Sequence, residues 1–142
     1  MLDAVIYTHQ GKRYEVYFSK NLNARLPVKL KNNQASLLPW GRHQKQAGEL
    51  FLGSFVHLSV IYSGNLAKYH PTSVKLPIER FMMLDYEQRR HWFDVMKGQY
   101  IQGLVVRQGS EQRVYAVVIE PDNEIDYYPI WPRLVLSKKR GF

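Results

Sequence analysis

The sequence has no cysteine among its 142 residues. This absence excludes disulfide bridges, thiolate metal sites and cysteine nucleophiles, and it is typical of proteins in reducing compartments. Long apolar runs are also missing, since no stretch approaches the roughly 18 uncharged residues of a membrane-spanning helix. The amino-terminal segment carries Asp3 and lacks the apolar centre of a secretory signal. Together these absences predict a cytoplasmic protein.

The sequence motifs of common catalytic sites are missing as well. There is no phosphate-binding glycine loop, no dinucleotide-binding glycine fingerprint, no His-Glu-x-x-His and no Gly-x-Ser-x-Gly. The 5 histidines are scattered without the spacing of metal ligands. Glu79, Asp85 and Asp94 fall in the apolar middle of the chain, where we expect ion pairs with neighbouring arginines. The sequence therefore predicts no catalytic residue, no metal and no cofactor.

Positive charge, by contrast, is abundant. The formal net charge is +8, from 20 Lys and Arg against 12 Asp and Glu. Residues 1–48 hold eight of these cations and only two acids, Asp3 and Glu15. A surface with such an imbalance attracts polyanions such as nucleic acids. A solubilising excess of cations without a partner is the simpler alternative.

Short strands separated by turn residues make up most of the chain. The hairpin signals are His9-Gln10-Gly11-Lys12, Asn32-Asn33-Gln34 and Gln108-Gly109-Ser110-Glu111. The predicted strands are 3–8, 13–18, 26–31, 35–38, 56–62, 73–76, 80–84, 91–96, 100–107, 113–120 and 134–136.

Helix signals are weak, because no amphipathic pattern lasts for three turns. Short helices are expected only at 44–51 and 86–90. The pattern predicts one α+β, mainly β domain over residues 1–136, built as an antiparallel, barrel-like sheet with a few short helices. Residues 137–142 are expected to form a basic carboxy-terminal tail.

The most informative stretch is 37–45. A predicted strand end runs into Pro39-Trp40-Gly41-Arg42-His43, and Lys45 follows. Tryptophan offers a flat stacking face, glycine lets the backbone approach a ligand, and the cations can meet phosphate. Stacking beside positive charge is how single-stranded nucleic acid is held. The alternative is that Trp40 fills the end of the barrel as a core residue.

The order of motifs from about residue 37 to 136 resembles the SOS response-associated peptidase (SRAP) domain family. Trp40-Gly41-Arg42 is similar to the early Trp-Gly segment of that family. The stretch 74–84 is similar to the middle of that family, in which an apolar strand is followed by a proline and then by Gly-Phe-Tyr-Glu-Trp. Pro77 and Phe81 are in register with this pattern. His91-Trp-Phe-Asp-Val, Tyr100-Ile-Gln-Gly-Leu and Trp131-Pro132 follow in the family's order.

The departures from that family remove its chemistry. The resemblance places the family's nucleophilic cysteine, which attacks abasic sites in single-stranded DNA, on Leu2. Its glutamate falls on Met83, and its late histidine falls near Tyr128. Without the thiol the covalent step has no nucleophile. The resemblance therefore implies a non-catalytic relative that keeps a DNA-facing surface.

The sequence thus predicts a non-catalytic nucleic-acid-binding domain, with single-stranded DNA as the favoured partner. A basic and aromatic surface would supply phosphate contacts and a stacking platform. The predicted contact residues are Arg25, Lys29, Lys31, Trp40, Arg42, His43 and Lys45.

Two alternatives come from other classes of protein. One is a protein-interaction or assembly module that uses strand edges and aromatic loops, as a homo-oligomer or with another polypeptide. The other is a small-molecule enzyme that uses Glu79, Asp94 or His91, which requires these side chains to converge in one pocket.

Overall fold

The computed structural model describes residues 2–30, 32, 34–121 and 128–137. They form a mainly β protein with short helices, which confirms the predicted class at that level. The strands are β1 (Leu2–His9), β2 (Lys12–Tyr17), β3 (Arg25–Lys29), β4 (Ala35–Pro39), β5 (Phe55–His57), β6 (Thr72–Leu76), β7 (Arg80–Leu84), β8 (Arg90–Asp94), β9 (Gln99–Gln108), β10 (Glu111–Ile119), β11 (Trp131–Pro132) and β12 (Leu134–Leu136). The helical elements are α1 (Leu58–Tyr62) and a single 3₁₀ turn at Ala67–Tyr69.

The first sheet is antiparallel, with the strand order β2-β1-β7-β8. Its β1–β2 hairpin turns at Gln10 and Gly11, which both have positive φ, as the sequence predicts. In the pairing of β1 with β7, Leu2 lies opposite Met83. The ribbon of β3 and β4 forms a separate two-stranded sheet.

The second sheet is built around the β9–β10 hairpin, which also turns where the sequence predicts. β6 pairs with the other edge of β9, and β5 runs parallel to β10. Beyond the Ala116–Gly103 pair the hairpin opens, and the segment 131–136 enters the gap. There β11 pairs with β10, while β12 pairs with β9. The described strands form three open sheets, so closure into a barrel stays a prediction.

Both faces of the second sheet are buried along much of β9 and β10. One face contributes Ile101, Val105 and Ala116 to the main core, which the sheet shares with β1, β3 and β7. The opposite face carries Leu104 and Tyr115 in a smaller cluster, against which α1 and the 3₁₀ turn pack. This double burial accounts for the continuous apolar runs in β9 and β10, because neither face of these strands has to meet water.

The predicted strand 56–62 is correct only in its first residues. β5 ends at His57, and the chain continues as α1. The partner strand sets this limit, since His57 lies opposite Val118 and β10 ends one residue later. A strand without a partner leaves backbone groups unpaired, whereas a helix satisfies them locally.

The two predicted helices do not form. Residues 44–51 contain turns and bends, and 86–89 form a tight turn before β8, which begins at Arg90. In the second segment the Asp85 carboxylate accepts hydrogen bonds from the N–H groups of Glu87 and Arg89, and Gln88 has a φ of 66°. The acid thus replaces helical hydrogen bonds with a side-chain-stabilised turn. Within the described part of the chain, no helix has the length and apolar character needed to cross a membrane.

Trp40 joins the ribbon to the second sheet. It follows β4 directly and forms an isolated parallel bridge with Val114 of β10. Its side chain is 1% exposed, and its indole N–H donates to the Ser54 carbonyl at 3.0 Å. The Phe18 ring packs edge-on against it at 5.4 Å. Trp40 is therefore a buried residue of the main core.

Replacing Trp40 by Ala should lower the free energy of unfolding by about 3–5 kcal/mol, because the change leaves a large cavity in the core. Trp40→Phe should cost less, because it keeps an aromatic ring and loses mainly the hydrogen bond to Ser54. Urea denaturation of the two variants measures both effects. A cost below about 1 kcal/mol for Trp40→Ala would contradict the core assignment.

Candidate functional site

The structure corrects the role predicted for Trp40. A stacking platform needs an exposed ring face, whereas both faces of this ring are covered by protein atoms. The next residue, Gly41, has a φ of 59°, and a Cβ there would lie 2.1 Å from the Gly53 carbonyl oxygen. The Trp-Gly pair thus serves close backbone packing rather than approach to a ligand.

Arg42 is also structural. Its Nη1 donates to the Leu50 carbonyl at 2.8 Å, and its Nη2 donates to the Gln46 carbonyl at 2.9 Å. A guanidinium bound to two carbonyls of its own loop holds that loop closed. The prediction that Arg42 contacts phosphate therefore receives no support from its geometry.

A second arginine, which lies in the second sheet, also forms hydrogen bonds with this loop. Arg113 of β10 is 9% exposed, and its Nη1 donates to the Gly41 carbonyl at 3.1 Å. Its Nε donates to Glu111 at 2.7 Å, and Glu111 accepts the Glu49 N–H at 2.9 Å. This buried ion pair joins the start of β10 to the loop after Trp40.

The surroundings of Glu111 act on its ionisation in opposite directions. Burial disfavours the charged form, but hydrogen bonds from Arg113 and from the N–H groups of Glu49 and Leu50 outweigh it. The pKa of the Glu111 carboxyl therefore lies below its usual value.

His43 and Lys45 differ in exposure. The His43 ring stacks on Phe18 with centroids 4.0 Å apart, and its Nε2 is in hydrogen-bond contact with the Phe18 carbonyl. Lys45 is exposed and lines a shallow pocket beside Lys20. Of the predicted residues in 37–45, only Lys45 has a freely accessible charge.

The predicted cations of the ribbon lie on β3. Arg25 is exposed and Lys29 is partly exposed. Leu26 and Val28, which alternate with them, belong to the main core. The two cations therefore lie on the same face of this strand, opposite Leu26 and Val28, with the buried Pro27 between them. Lys31, the third predicted cation of this segment, lies outside the described residues.

Lys29 opens onto a cleft that is lined by residues of β6, of β9 and of the segment 131–136. This cationic cleft has a volume of about 460 Å³, within the range of ligand-binding pockets. Its cations are Lys29, Lys75 of β6 and Arg133, which lies between β11 and β12. No carboxylate is among its described lining residues. Within the described part of the chain, none of the three cations has an ion-pair partner.

The floor of the cleft is the outer face of the second sheet. Lys75 lies opposite Gln102 in the pairing of β6 with β9, so both side chains project from the same face. The α1 segment covers this face farther along, at Leu104 and Tyr115. Where that cover ends, polar side chains replace apolar ones and the cleft begins.

Gln102 connects two other residues of the cleft through hydrogen bonds. It is 7% exposed, its Nε2 donates to the Ser73 hydroxyl at 3.0 Å, and its Oε1 accepts from Arg133 Nη1. Lys75 lies with its Nζ 5.7 Å from the centre of the Tyr100 ring. The charges of Lys75 and Arg133 are thus in contact with neutral groups, which do not neutralise them.

The sequence-based prediction missed Lys75, Gln102 and Arg133. Ser73 and Lys75 alternate in a predicted strand, which indicates a polar face, but nothing in the sequence pairs that strand with β9. Arg133 follows a proline near the carboxy terminus, and the sequence does not distinguish its charge from that of the basic tail that comes after it. Their convergence depends on strand order, which local patterns do not encode.

The residues of the enzymatic alternative do not converge. His91 Nε2 pairs with Asp85 at 3.0 Å, and Arg80 pairs with Asp94 at 2.9 Å. The side chain of Glu79 is exposed and has no ion pair among the described residues. No group of three His, Cys, Asp or Glu within the described ranges could hold a metal ion.

The Asp85 carboxylate is held in place by several hydrogen bonds. Its side chain is nearly buried, and the Arg89 N–H lowers its pKa most. Burial opposes this effect, but further hydrogen bonds from His91, from the Arg89 side chain and from the Glu87 N–H leave the carboxyl pKa well below the usual range. A carboxylate held in this way organises the 85–91 turn and is a poor general base at neutral pH.

The positions that the family resemblance assigns to catalysis are apolar and buried. Leu2 is 1% exposed and Met83 is 0% exposed, and the two lie opposite one another in the first sheet. Tyr128 belongs to the same core cluster. The side chains of Leu2 and Met83 carry no nucleophile or general base.

Comparison of the chain with protein-family models, with curated proteins and with solved structures finds no match.

Replacing Glu111 by Gln tests the loop anchor. We expect a loss of about 1 kcal/mol in the free energy of unfolding at pH 7, because the charge-assisted bonds to Arg113 and the loop weaken. The folded-state pKa is depressed, so this stabilisation is present above the usual value of 4.5 and fades as the pH falls toward the folded-state value. Denaturation at pH 7 and at about pH 3 should show the gap between wild type and variant narrowing. Glu120→Gln, at an exposed acid, is the control and should show little effect at either pH.

Proposed function

We propose that the protein is a non-catalytic nucleic-acid-binding domain that contacts its ligand through the cationic cleft. The convergence of Lys29, Lys75 and Arg133, without an ion-pair partner among the described residues, carries this proposal. Like charges in close proximity repel one another, so such a cluster is unfavourable until an anion neutralises it. Phosphate groups of a nucleic acid are suitable counter-charges.

The shape and lining of the cleft favour a single strand. Leu30, Val74 and Val135 give it apolar walls beside the three cations. A flexible strand can insert a sugar or a base between such walls while its phosphates meet the cations. A duplex keeps its bases stacked inside and presents mainly phosphate and groove edges. We therefore keep single-stranded DNA as the favoured partner.

The proposed contact surface contains only some of the residues that the sequence predicts for it. Arg25 and Lys45 are exposed and can add phosphate contacts, whereas Trp40, Arg42 and His43 are used within the fold. A barrel-like arrangement of the β domain remains part of the proposal, because the two larger sheets contribute to one common core.

Kinship with the SRAP family also remains a proposal. The pairing of Leu2 with Met83 supports it, because two positions that the resemblance assigns to one active site are adjacent here. A relative that has lost its nucleophile would keep binding without the covalent reaction.

The test is binding of a fluorescently labelled oligothymidine at about 50 and about 200 mM salt, measured by anisotropy. We expect affinity to fall steeply with salt, because each neutralised phosphate of a single strand contributes about −0.7 to the logarithmic slope. The double variant Lys29→Gln/Lys75→Gln should bind more weakly and should reduce the slope by about 1.4.

The matched control is Arg90→Gln/Arg107→Gln, which removes the same charge from two exposed positions that do not line the cleft. It should change the affinity much less than the cleft variant. Equal effects of the two double variants would show that net charge, rather than the cleft, drives binding. No binding at low salt would overturn the proposed function altogether.

A further inference from the structure

We infer that the cleft recognises a phosphate monoester, such as the terminal phosphate of a strand or of a free nucleotide, in preference to an internal phosphodiester. This inference rests on the proposed function and specifies which phosphate the cleft selects.

The positive charge of the cleft is larger than the negative charge of one phosphodiester. Its lining residues carry three cationic side chains and no described carboxylate. An internal phosphodiester brings a charge of −1, whereas a phosphate monoester brings about −1.5 to −2 at pH 7. The monoester therefore offsets more of the mutual repulsion of the cations, and it offers three acceptor oxygens.

Arg133 is fixed at both of its backbone groups. Its N–H donates to the Val117 carbonyl at 2.9 Å, and its carbonyl accepts the Gln102 N–H at 2.9 Å. The residue thus bridges β10 and β9 at the point where the hairpin opens. The sheet therefore fixes the backbone from which the Arg133 side chain projects into the cleft.

Gln102 then orients the guanidinium. Its side-chain oxygen accepts from Arg133 Nη1, and its own amide is held by Ser73. A guanidinium has five N–H donors in a fixed fork, and a neutral amide occupies one of them without cancelling the charge. The remaining donors suit a planar, two-point contact with phosphate oxygens. Gln102 is therefore a positioning residue, and Arg133 is the residue that determines specificity.

The lysines complete the site from two sides. Lys29 reaches the cleft from the ribbon, and Lys75 reaches it from β6. They carry point charges on flexible stems, so they add attraction without strict geometry. Selection between a monoester and a diester is accordingly expected to depend on Arg133 more than on either lysine.

Matched oligothymidines test this inference. The first carries a 5′-phosphate, the second a 3′-phosphate, and the third has hydroxyl ends but one more nucleotide, so that all three contain the same number of phosphates. We expect at least one phosphorylated strand to bind about tenfold more tightly than the longer hydroxyl-ended strand, equivalent to about 1.4 kcal/mol. Direct titration with thymidine 5′-monophosphate shows whether a free nucleotide suffices.

Two variants separate positioning from charge. Arg133→Lys keeps the charge but loses the fork, so it should reduce the preference for the monoester while leaving the salt dependence nearly unchanged. Gln102→Glu places a carboxylate against Arg133 and should abolish the preference, because an internal ion pair then neutralises the guanidinium. Thermal denaturation checks that both variants remain folded, and Arg90→Gln/Arg107→Gln should keep the full preference.

The outcomes distinguish the inference from the proposed function. If all three strands bind equally well and thymidine 5′-monophosphate does not bind, the monoester inference is wrong although nucleic-acid binding stands. A preference that persists in folded Gln102→Glu would also overturn it. If no strand binds at low salt, the proposed function itself fails. Preference for a strand end without binding of the free nucleotide would identify the strand terminus as the source of the monoester.

Discussion

The insertion of residues 131–136 between β9 and β10 is the constraint on which both the core and the cleft depend. Arg133 receives and donates backbone hydrogen bonds across the gap, so each opened strand keeps a partner where the hairpin separates. On the core side, the Trp131 ring packs against Phe93 at 4.9 Å. On the outer side, the Arg133 side chain forms part of the cleft floor. One short segment therefore links the stability of the sheet to the position of the arginine in the cleft.

The two arginines beside Trp40 and the arginine in the cleft show how context decides the use of one side chain. Arg42 and Arg113 donate to backbone carbonyls of a loop, and Arg113 is further neutralised by Glu111. Their guanidinium groups therefore stabilise the loop. Arg133 is held by a neutral amide instead, so its charge stays available. An arginine in a basic sequence is thus evidence for anion binding only when the groups that satisfy it are known.

Several elements follow from local sequence. The β1–β2 and β9–β10 hairpins form where a Gly-containing turn separates alternating or apolar runs, because positive φ and strand twist are local requirements. The role of Trp40 could not be assigned in this way, since the same Trp-Gly pair suits a binding loop or a packed strand end. The cleft could not be predicted either, because Lys29, Lys75 and Arg133 meet only through the order of non-consecutive strands.

By itself, the sequence determined the mainly β character of the protein, the positions of the β1–β2 and β9–β10 turns and its excess of positive charge. These properties depend on residue type, on spacing and on backbone conformation over a few residues. Only the tertiary structure decided that Trp40 in the stretch 37–45 is buried, and that a cationic cleft lies on the outer face of the second sheet. The physical reason is that burial and ion pairing are properties of neighbours in space. For Trp40 and Arg133 the decisive neighbours, Val114 and Gln102, lie far away along the chain.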